Sequence, residues 1–161
     1  MRLFAGSFKS AHAVVRRLRR SQADLTFLMP LDAARMASLR DEEHVRLDAF
    51  IQRFQNAQDI LDAQVLRGLL ALEEVDLTGK TPRDVSNLLE KYGIIDSAAR
   101  WRDLRDLRNT LAHEYPDEPD IQIDRLNGAY AAIDEVVSVL NRVQVRVTAK
   151  HLADLSAYQP L

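Results

Sequence analysis

Residues 97–116 read SAARWRDLRDLRNTLAHEYP, and their pattern predicts a helix that ends at Pro116. The side chains on one face of this helix recur at spacings of three and four, and they are Trp101, Leu104, Arg108, Leu111 and Tyr115. A guanidinium keeps its charge at physiological pH, so burying Arg108 without a partner is expensive. The sequence therefore predicts that the apolar stripe either opens onto a polar cleft at Arg108 or meets an anion there.

The composition is that of one globular domain. The chain has 161 residues, of which 47% are hydrophobic and 29% are charged. It contains no cysteine, which excludes disulfides and thiolate metal sites. No apolar run reaches the roughly 18 residues of a membrane span, and the N-terminus lacks the apolar core of a signal peptide. We therefore expect a cytoplasmic protein without membrane partners.

The basic residues are strongly biased towards arginine. The net charge is −2, so the whole molecule is not a general polyanion binder. Only four of the 22 basic residues are lysines, which leaves 18 arginines. The arginine guanidinium matches the geometry of a phosphate better than the lysine ammonium does, although surface composition alone produces the same bias.

Apolar periodicity in the rest of the chain predicts an all-α fold, an antiparallel bundle of about five helices. The predicted bounds are about 7–28 for the first helix, from 32–41 to about 74 for the second, 81–93 for the third, 97–115 for the fourth and 120–148 for the fifth. Asn127-Gly128 is also a hairpin signal, but the spacing of apolar residues in the fifth segment favours a helix. The chain divides into an Arg-rich amphipathic helix packed on the bundle (1–30), the bundle (31–148) and a C-terminal tail (149–161).

The third helix has clear start and stop signals. Thr81 can cap it, Pro82 suits its first position, and Asp84 lies where a capping box places its acid. Gly93 is a typical C-terminal glycine, with Ile94 as its apolar partner.

Four arginines, Arg16, Arg17, Arg19 and Arg20, lie on the flanks and back of the first helix. They form either a solvated face or a contact surface for phosphates, and the pattern alone favours the solvated face.

A weak metal-site pattern occurs on the second helix. His44 and Asp48 are four residues apart and could share a metal ion. Two ligands without a third make a poor site, so a surface pair is the better interpretation and no metal centre is predicted.

The spacing of Arg108 and His113 limits what side chains of one helix can bind together. Arg108 and His113 are about 140° apart around an ideal helix and roughly 7.5 Å apart along it. They cannot hold one small group together, but they could line two sides of a phosphodiester if a second copy of the helix faced the first. Asn109 lies four residues before His113, where its amide can orient the imidazole ring.

The position of His113 suits proton transfer. It falls in the last turn of the predicted helix, where the macrodipole favours the imidazolium, and imidazole can move protons in both directions near neutral pH. Arginine stabilises the added charge of a pentacoordinate phosphate. These two groups suffice in principle for metal-free RNA cleavage that leaves a 2′,3′-cyclic phosphate.

A purely structural interpretation remains open. A histidine at a helix C-terminus is often only a favourable placement of charge. Arg108 could form an ion pair with Asp84, with Glu90 or with an acid of the second helix.

The sequence Arg108-Asn109-Thr110-Leu111-Ala112-His113-Glu114-Tyr115 resembles the signature of the HEPN superfamily, which is an arginine, a polar residue, a short spacer and a histidine. It resembles the HepT branch more closely, because a tyrosine stands two residues after the histidine. The matching residues are Arg108, Asn109, His113 and Tyr115. The resemblance covers about residues 42–147, and outside the motif it extends only to the helical pattern.

This resemblance implies an up-and-down helical bundle that forms a homodimer, in which two Arg108/His113 sets build one cleft. It implies a metal-independent endoribonuclease toxin without cofactors, with RNA as its substrate. Its partner would be a minimal nucleotidyltransferase antitoxin that silences it by transferring AMP from ATP to Tyr115. The candidate RNA contacts are Arg105 and the arginines of the first helix.

Two other interpretations remain. One is a non-catalytic partner of the nucleotidyltransferase, and the other is a structural helical dimer with Arg108 in an interfacial ion pair.

Overall fold

The longest helical rod of the chain forms because apolar residues recur at spacings of three and four over nearly thirty positions. In the computed structural model, which describes residues 2–111 and 118–161, all secondary structure within those ranges is helical. The all-α prediction is therefore confirmed. The helices are α1 (Arg2–Leu25), α2 (Ala33–Ala37), α3 (Asp41–Ile60), a π-helical segment (Leu61–Leu66), α4 (Arg67–Leu72), α5 (Pro82–Lys91), α6 (Ala98–Thr110), α7 (Pro119–Ala131) and α8 (Ile133–Ala149).

The rod made by α3, the π-helical segment and α4 is the centre of the packing. Contacts of α1 show that it runs antiparallel to this rod, because Phe4 lies against Gly68 whereas Arg53 donates to Ser21. Contacts of α6 show the same relation, because Trp101 meets Asp62 and the carbonyl of Arg108 meets Gln55. The central rod thus separates α1 from α6, in an up-and-down arrangement.

The core draws on every long helix. The fully buried residues of α1 include Phe8, Val15 and Leu18, and those of the central rod include Phe50 and Phe54. Helices α6, α7 and α8 add further apolar residues to the same cluster, among them Trp101, Leu126 and Val143. None of the helices in the described ranges is long and apolar enough to cross a membrane.

Several predicted helix bounds were wrong. Helix α1 begins at Arg2 instead of about residue 7, because Phe4 is also buried, against Gly68. The second predicted helix is preceded by the separate short helix α2, and its rod contains the π-helical segment. The fifth predicted helix begins at Pro119, and it divides at Ala132 into α7 and α8. Neither a glycine nor a proline occurs at that division, and the spacing of apolar residues continues across it. The sequence therefore carries no local signal for the break.

Other local predictions are confirmed. Helix α5 has the predicted capping box, in which the Thr81 hydroxyl accepts from the Asp84 amide and the Asp84 carboxylate accepts from the Thr81 amide. Gly93 takes a φ of +70° and Ile94 is buried behind it. Asn127 and Gly128 lie inside α7, so the hairpin alternative is excluded.

The C-terminal tail packs on the surface between α1 and α8. Leu155 is buried, and the Tyr158 ring lies 5.4 Å from the ring of Phe8. The Nε2 atom of His12 lies 2.8 Å from the Gln159 carbonyl, and Asn141 bonds to both the amide and the carbonyl of Leu161. These contacts join residues that are far apart in sequence.

A buried carboxylate joins the end of α4 to α8. The side chain of Glu73 is 6% exposed and receives both Nε and Nη2 of Arg146, while Lys150 lies 3.1 Å from its Oε1 atom. Arg146 also donates to the Tyr92 carbonyl at 2.8 Å, which ties in the end of α5. The hydrogen bond from Arg146 lowers the pKa of Glu73 below its ordinary value of 4.5.

We predict that Glu73→Gln lowers the free energy of unfolding at pH 7 by about 3 kcal/mol, because it removes one charge from a mostly buried ion pair. The pKa of Glu73 is lower in the folded state, so its contribution is complete above pH 4.5 and is lost as the pH falls through the lowered pKa. Urea unfolding at pH 7 and at pH 3 measures both effects.

The difference in stability between wild type and Glu73→Gln should therefore shrink at the lower pH. The matched control is Glu74→Gln, because Glu74 is exposed and lies next in the chain. Equal losses for the two variants, or a pH-independent loss for Glu73→Gln, would contradict the prediction.

Candidate functional site

Helix α6 runs from the core to the surface. The Ser97 hydroxyl caps its start by accepting from the Arg100 amide. Trp101 and Leu104 are buried, as their position on the stripe predicts. One turn later the Arg108 side chain is 28% exposed. The apolar stripe therefore opens towards solvent at Arg108.

An anion also meets Arg108. Its Nη2 atom forms an ion pair with the carboxylate of Asp59 on α3, and its Nη1 atom donates to the Asn109 side chain at 2.6 Å. Of the partners considered for Arg108, the acid of the second helix is the one in contact. The Asp59 side chain is 54% exposed, so this pair contributes only about 0–1 kcal/mol to stability.

A second carboxylate, that of Asp62, lies one turn further along the central rod. Its Oδ1 atom accepts from the indole Nε1 of Trp101 at 2.8 Å, and its Oδ2 atom accepts from Nε of Arg105 at 2.9 Å. The Asp62 side chain is 23% exposed. Because the Trp101 ring is buried, this acceptor satisfies a donor that would otherwise have no partner.

The central rod therefore presents two acids to α6 at a spacing of three residues, Asp59 and Asp62. Helix α6 carries Arg105 and Arg108, which are also three residues apart. Residues at this spacing lie on the same face of a helix, so the two arginines face the two acids. Asp62 lies in the π-helical segment, a feature that is frequent at functional sites. The sequence predicts neither acid as a site residue. The signal for them was a polar row of Gln55, Asp59 and Asp62 beside the apolar stripe.

The arginines of α6 reach different neighbours. Arg100 donates to Glu135 at 3.1 Å and Arg102 donates to Asn87 at 3.2 Å. Arg105, a candidate RNA contact, is held by Asp62. Arg108 is thus the α6 arginine whose ion-pair partner is more than half exposed.

The arginines of α1 lie elsewhere. Arg19 forms an ion pair with Asp134 and donates to Gln22 at 2.7 Å. The other three are exposed, and no side-chain partner for them occurs within the described residues: Arg16, Arg17 and Arg20.

The structure does not bring the α1 arginines to Arg108 within one chain. Helix α3 contacts α1 through Arg53 and α6 through Asp59. Six residues separate these two positions, which places them about 120° apart around the helix. Helices α1 and α6 therefore lie on different flanks of α3.

The remaining predicted site residues divide into two groups. His113 and Tyr115 lie outside the described residues. Asn109 is exposed, and its Oδ1 atom accepts from Arg108, so its action on the His113 ring stays a prediction. His44 and Asp48 are exposed on α3, and within residues 2–111 and 118–161 no three metal-ligating side chains converge.

Comparisons of the chain with protein-family models, curated proteins and solved structures found no match. The resemblance to the HEPN signature therefore depends on the motif residues themselves.

We predict that Asp62→Ala lowers the free energy of unfolding by about 1–3 kcal/mol, because it leaves the indole N–H of Trp101 buried without an acceptor. Asp59→Ala is the matched control, since it removes an exposed ion pair one turn away and should cost less than about 1 kcal/mol. Chemical denaturation of both variants gives the two values. Equal losses would show that Asp62 does not anchor α6.

Proposed function

We propose that this protein is a metal-independent endoribonuclease of the HepT kind, acting as the toxin of a toxin–antitoxin pair. The observation that carries the proposal is a partly exposed arginine, Arg108, near the end of α6 in an all-helical protein. In the sequence it is followed at the HepT spacing by His113 and Tyr115. The cleft would be completed by a second copy of the chain, as the resemblance to HEPN proteins implies, so that two Arg108/His113 sets line it.

The proposed reaction needs only proton transfer and charge stabilisation. One His113 accepts the proton of the ribose 2′-hydroxyl, and the 2′-oxygen attacks the adjacent phosphorus. The bond from phosphorus to the 5′-oxygen breaks, and the His113 of the second copy donates a proton to that oxygen. The products are a 2′,3′-cyclic phosphate and a 5′-hydroxyl end.

Arg108 would stabilise the non-bridging oxygens of the pentacoordinate phosphate. Its contacts with Asp59 and Asn109 use one N–H on each Nη atom. Arginine carries further N–H donors on the same fork, so the guanidinium can keep its contact with Asn109 while a phosphate oxygen binds. Asn109 keeps the guanidinium close to the end of α6.

Control would act through Tyr115. A minimal nucleotidyltransferase would transfer AMP from ATP to the phenolic oxygen, with release of pyrophosphate. The new phosphodiester adds negative charge and bulk. Because Tyr115 follows Arg108 by only seven residues in the sequence, the adduct would compete with the RNA phosphate for the guanidinium.

We predict that Arg108→Ala and His113→Ala each lower the rate of cleavage of a single-stranded RNA at least about 100-fold, as expected for loss of charge stabilisation or of a general acid–base. Cleavage should be unchanged by EDTA, and mass spectrometry of the fragments should find 2′,3′-cyclic phosphate ends. The matched control is Arg102→Ala, which removes an arginine of the same helix that contacts Asn87.

A charge swap separates catalysis from a structural ion pair. The double variant Asp59→Arg, Arg108→Asp restores opposite charges between α3 and α6. Under the catalytic proposal it stays inactive even though it folds. If wild type, the swap and Arg108→Ala affect growth and RNA integrity equally, the ribonuclease proposal fails.

We predict that incubation with a cognate minimal nucleotidyltransferase and ATP adds one AMP to the wild type and none to Tyr115→Phe, because the phenol is the acceptor. Intact-mass spectrometry detects the adduct. Tyr92→Phe is the control and should retain it. An adduct on Tyr115→Phe would remove Tyr115 from the proposal, whereas an adduct on a protein that never cleaves RNA would favour the non-catalytic partner.

A further inference from the structure

The two carboxylates that the central rod presents to α6 differ in how firmly they are held. Asp62 is 23% exposed and accepts from both Trp101 and Arg105. Asp59 is 54% exposed, and Arg108 is its contact within the described residues. An exposed carboxylate is hydrated again when it leaves its partner, so the free-energy cost of breaking its ion pair is small. Asp59 is therefore the acid that can be displaced.

Arg108 is the group that Asp59 neutralises. Its guanidinium is partly exposed, so an anion from solvent can reach it. Such an anion also meets the negative charge of Asp59 beside the guanidinium. Two like charges about 5 Å apart repel each other by roughly 1 kcal/mol when water screens them as in bulk solvent, and the Asp59 side chain is more than half exposed.

We propose that Asp59 is a resident counter-ion of Arg108 that an RNA phosphate must displace, and that it thereby sets the affinity of the site for RNA. This inference rests on the proposed function, because it takes Arg108 to be the group that binds the scissile phosphate. Asp59 holds the guanidinium at the α3–α6 edge when RNA is absent. A phosphodiester then replaces it and forms the fork-shaped, charge-assisted contact that arginine prefers.

Asp59→Asn should change both the affinity for RNA and its dependence on salt. Without the carboxylate, RNA should bind about three- to tenfold more tightly, which corresponds to the repulsion of roughly 1 kcal/mol. In Asp59→Asn, Arg108 would neutralise a phosphate outright, whereas in the wild type it exchanges the Asp59 carboxylate for the phosphate. The slope of log affinity against log salt should then become more negative by about 0.7, the value for one phosphate of a single strand.

The experiment measures fluorescence anisotropy with a fluorescein-labelled single-stranded RNA of mixed sequence. Every protein carries His113→Ala, so that the probe is not cleaved. Asp59→Asn is compared with Asp48→Asn, which removes the same charge from an exposed position on the same helix, roughly 16 Å along its axis. Asp59→Ser serves as a second variant, and circular dichroism verifies that each protein is folded.

Tighter binding and a steeper salt slope for both Asp59 variants, with no change for Asp48→Asn, would support the inference. The gain must also disappear when Arg108→Ala is added, because no guanidinium then remains to be released. This dependence on Arg108 separates a local contact from a general change in net charge.

The opposite outcomes overturn the inference in distinguishable ways. If Arg108→Ala weakens binding while the Asp59 variants bind equally or more weakly than wild type, Asp59 positions Arg108 instead of competing for it. In that case the proposed function survives and the counter-ion role fails. If Arg108→Ala leaves RNA binding unchanged, Arg108 does not hold the phosphate of bound RNA and the counter-ion role fails, whereas the proposed function then depends on whether the same variant cleaves RNA more slowly.

Discussion

The hydrogen bonds from Trp101 and Arg105 to the Asp62 carboxylate join the central rod to α6. One of these donors belongs to a buried indole, so the contact cannot be replaced by water without moving the ring. Both oxygens of the Asp62 carboxylate accept hydrogen bonds, and the two donors are four residues apart on α6. Such an arrangement allows little rotation or sliding of α6 against α3. The position of Arg108, less than one turn beyond Arg105, follows from that constraint.

A gradient of exposure runs along this junction. Trp101 is buried, Arg105 and Asp62 are about one-quarter exposed, and Asp59 is about half exposed. The same chemical pair, an arginine with an aspartate, is thus an anchor at one end and an exchangeable contact at the other. The difference arises from solvent access, because water screens the exposed pair and replaces its hydrogen bonds. Under the proposed function, this rigid support holds the one arginine of α6 whose carboxylate partner an anion can displace.

Much of the fold follows from sequence periodicity. The apolar stripes of α1, α3 and α8 predict their buried faces, and side chains such as Leu18, Phe54 and Leu140 are buried accordingly. Capping chemistry at Thr81 and Gly93 predicts the ends of α5. Breaks without a local signal were missed, namely the π-helical segment and the division at Ala132. They depend on how the flanking residues pack against other helices.

The sequence by itself determined that the chain is helical, which faces are buried, and that Arg108 interrupts an apolar stripe before His113 and Tyr115. Those features are local, because side-chain spacing and helix geometry are enough to establish them. Only the tertiary structure decided which acid meets Arg108 and that the α1 arginines lie on another flank of α3. These relations join residues far apart in the chain, and they depend on the rotation and register of packed helices. The apolar pattern of a single helix carries no information about its rotation or its register against another helix.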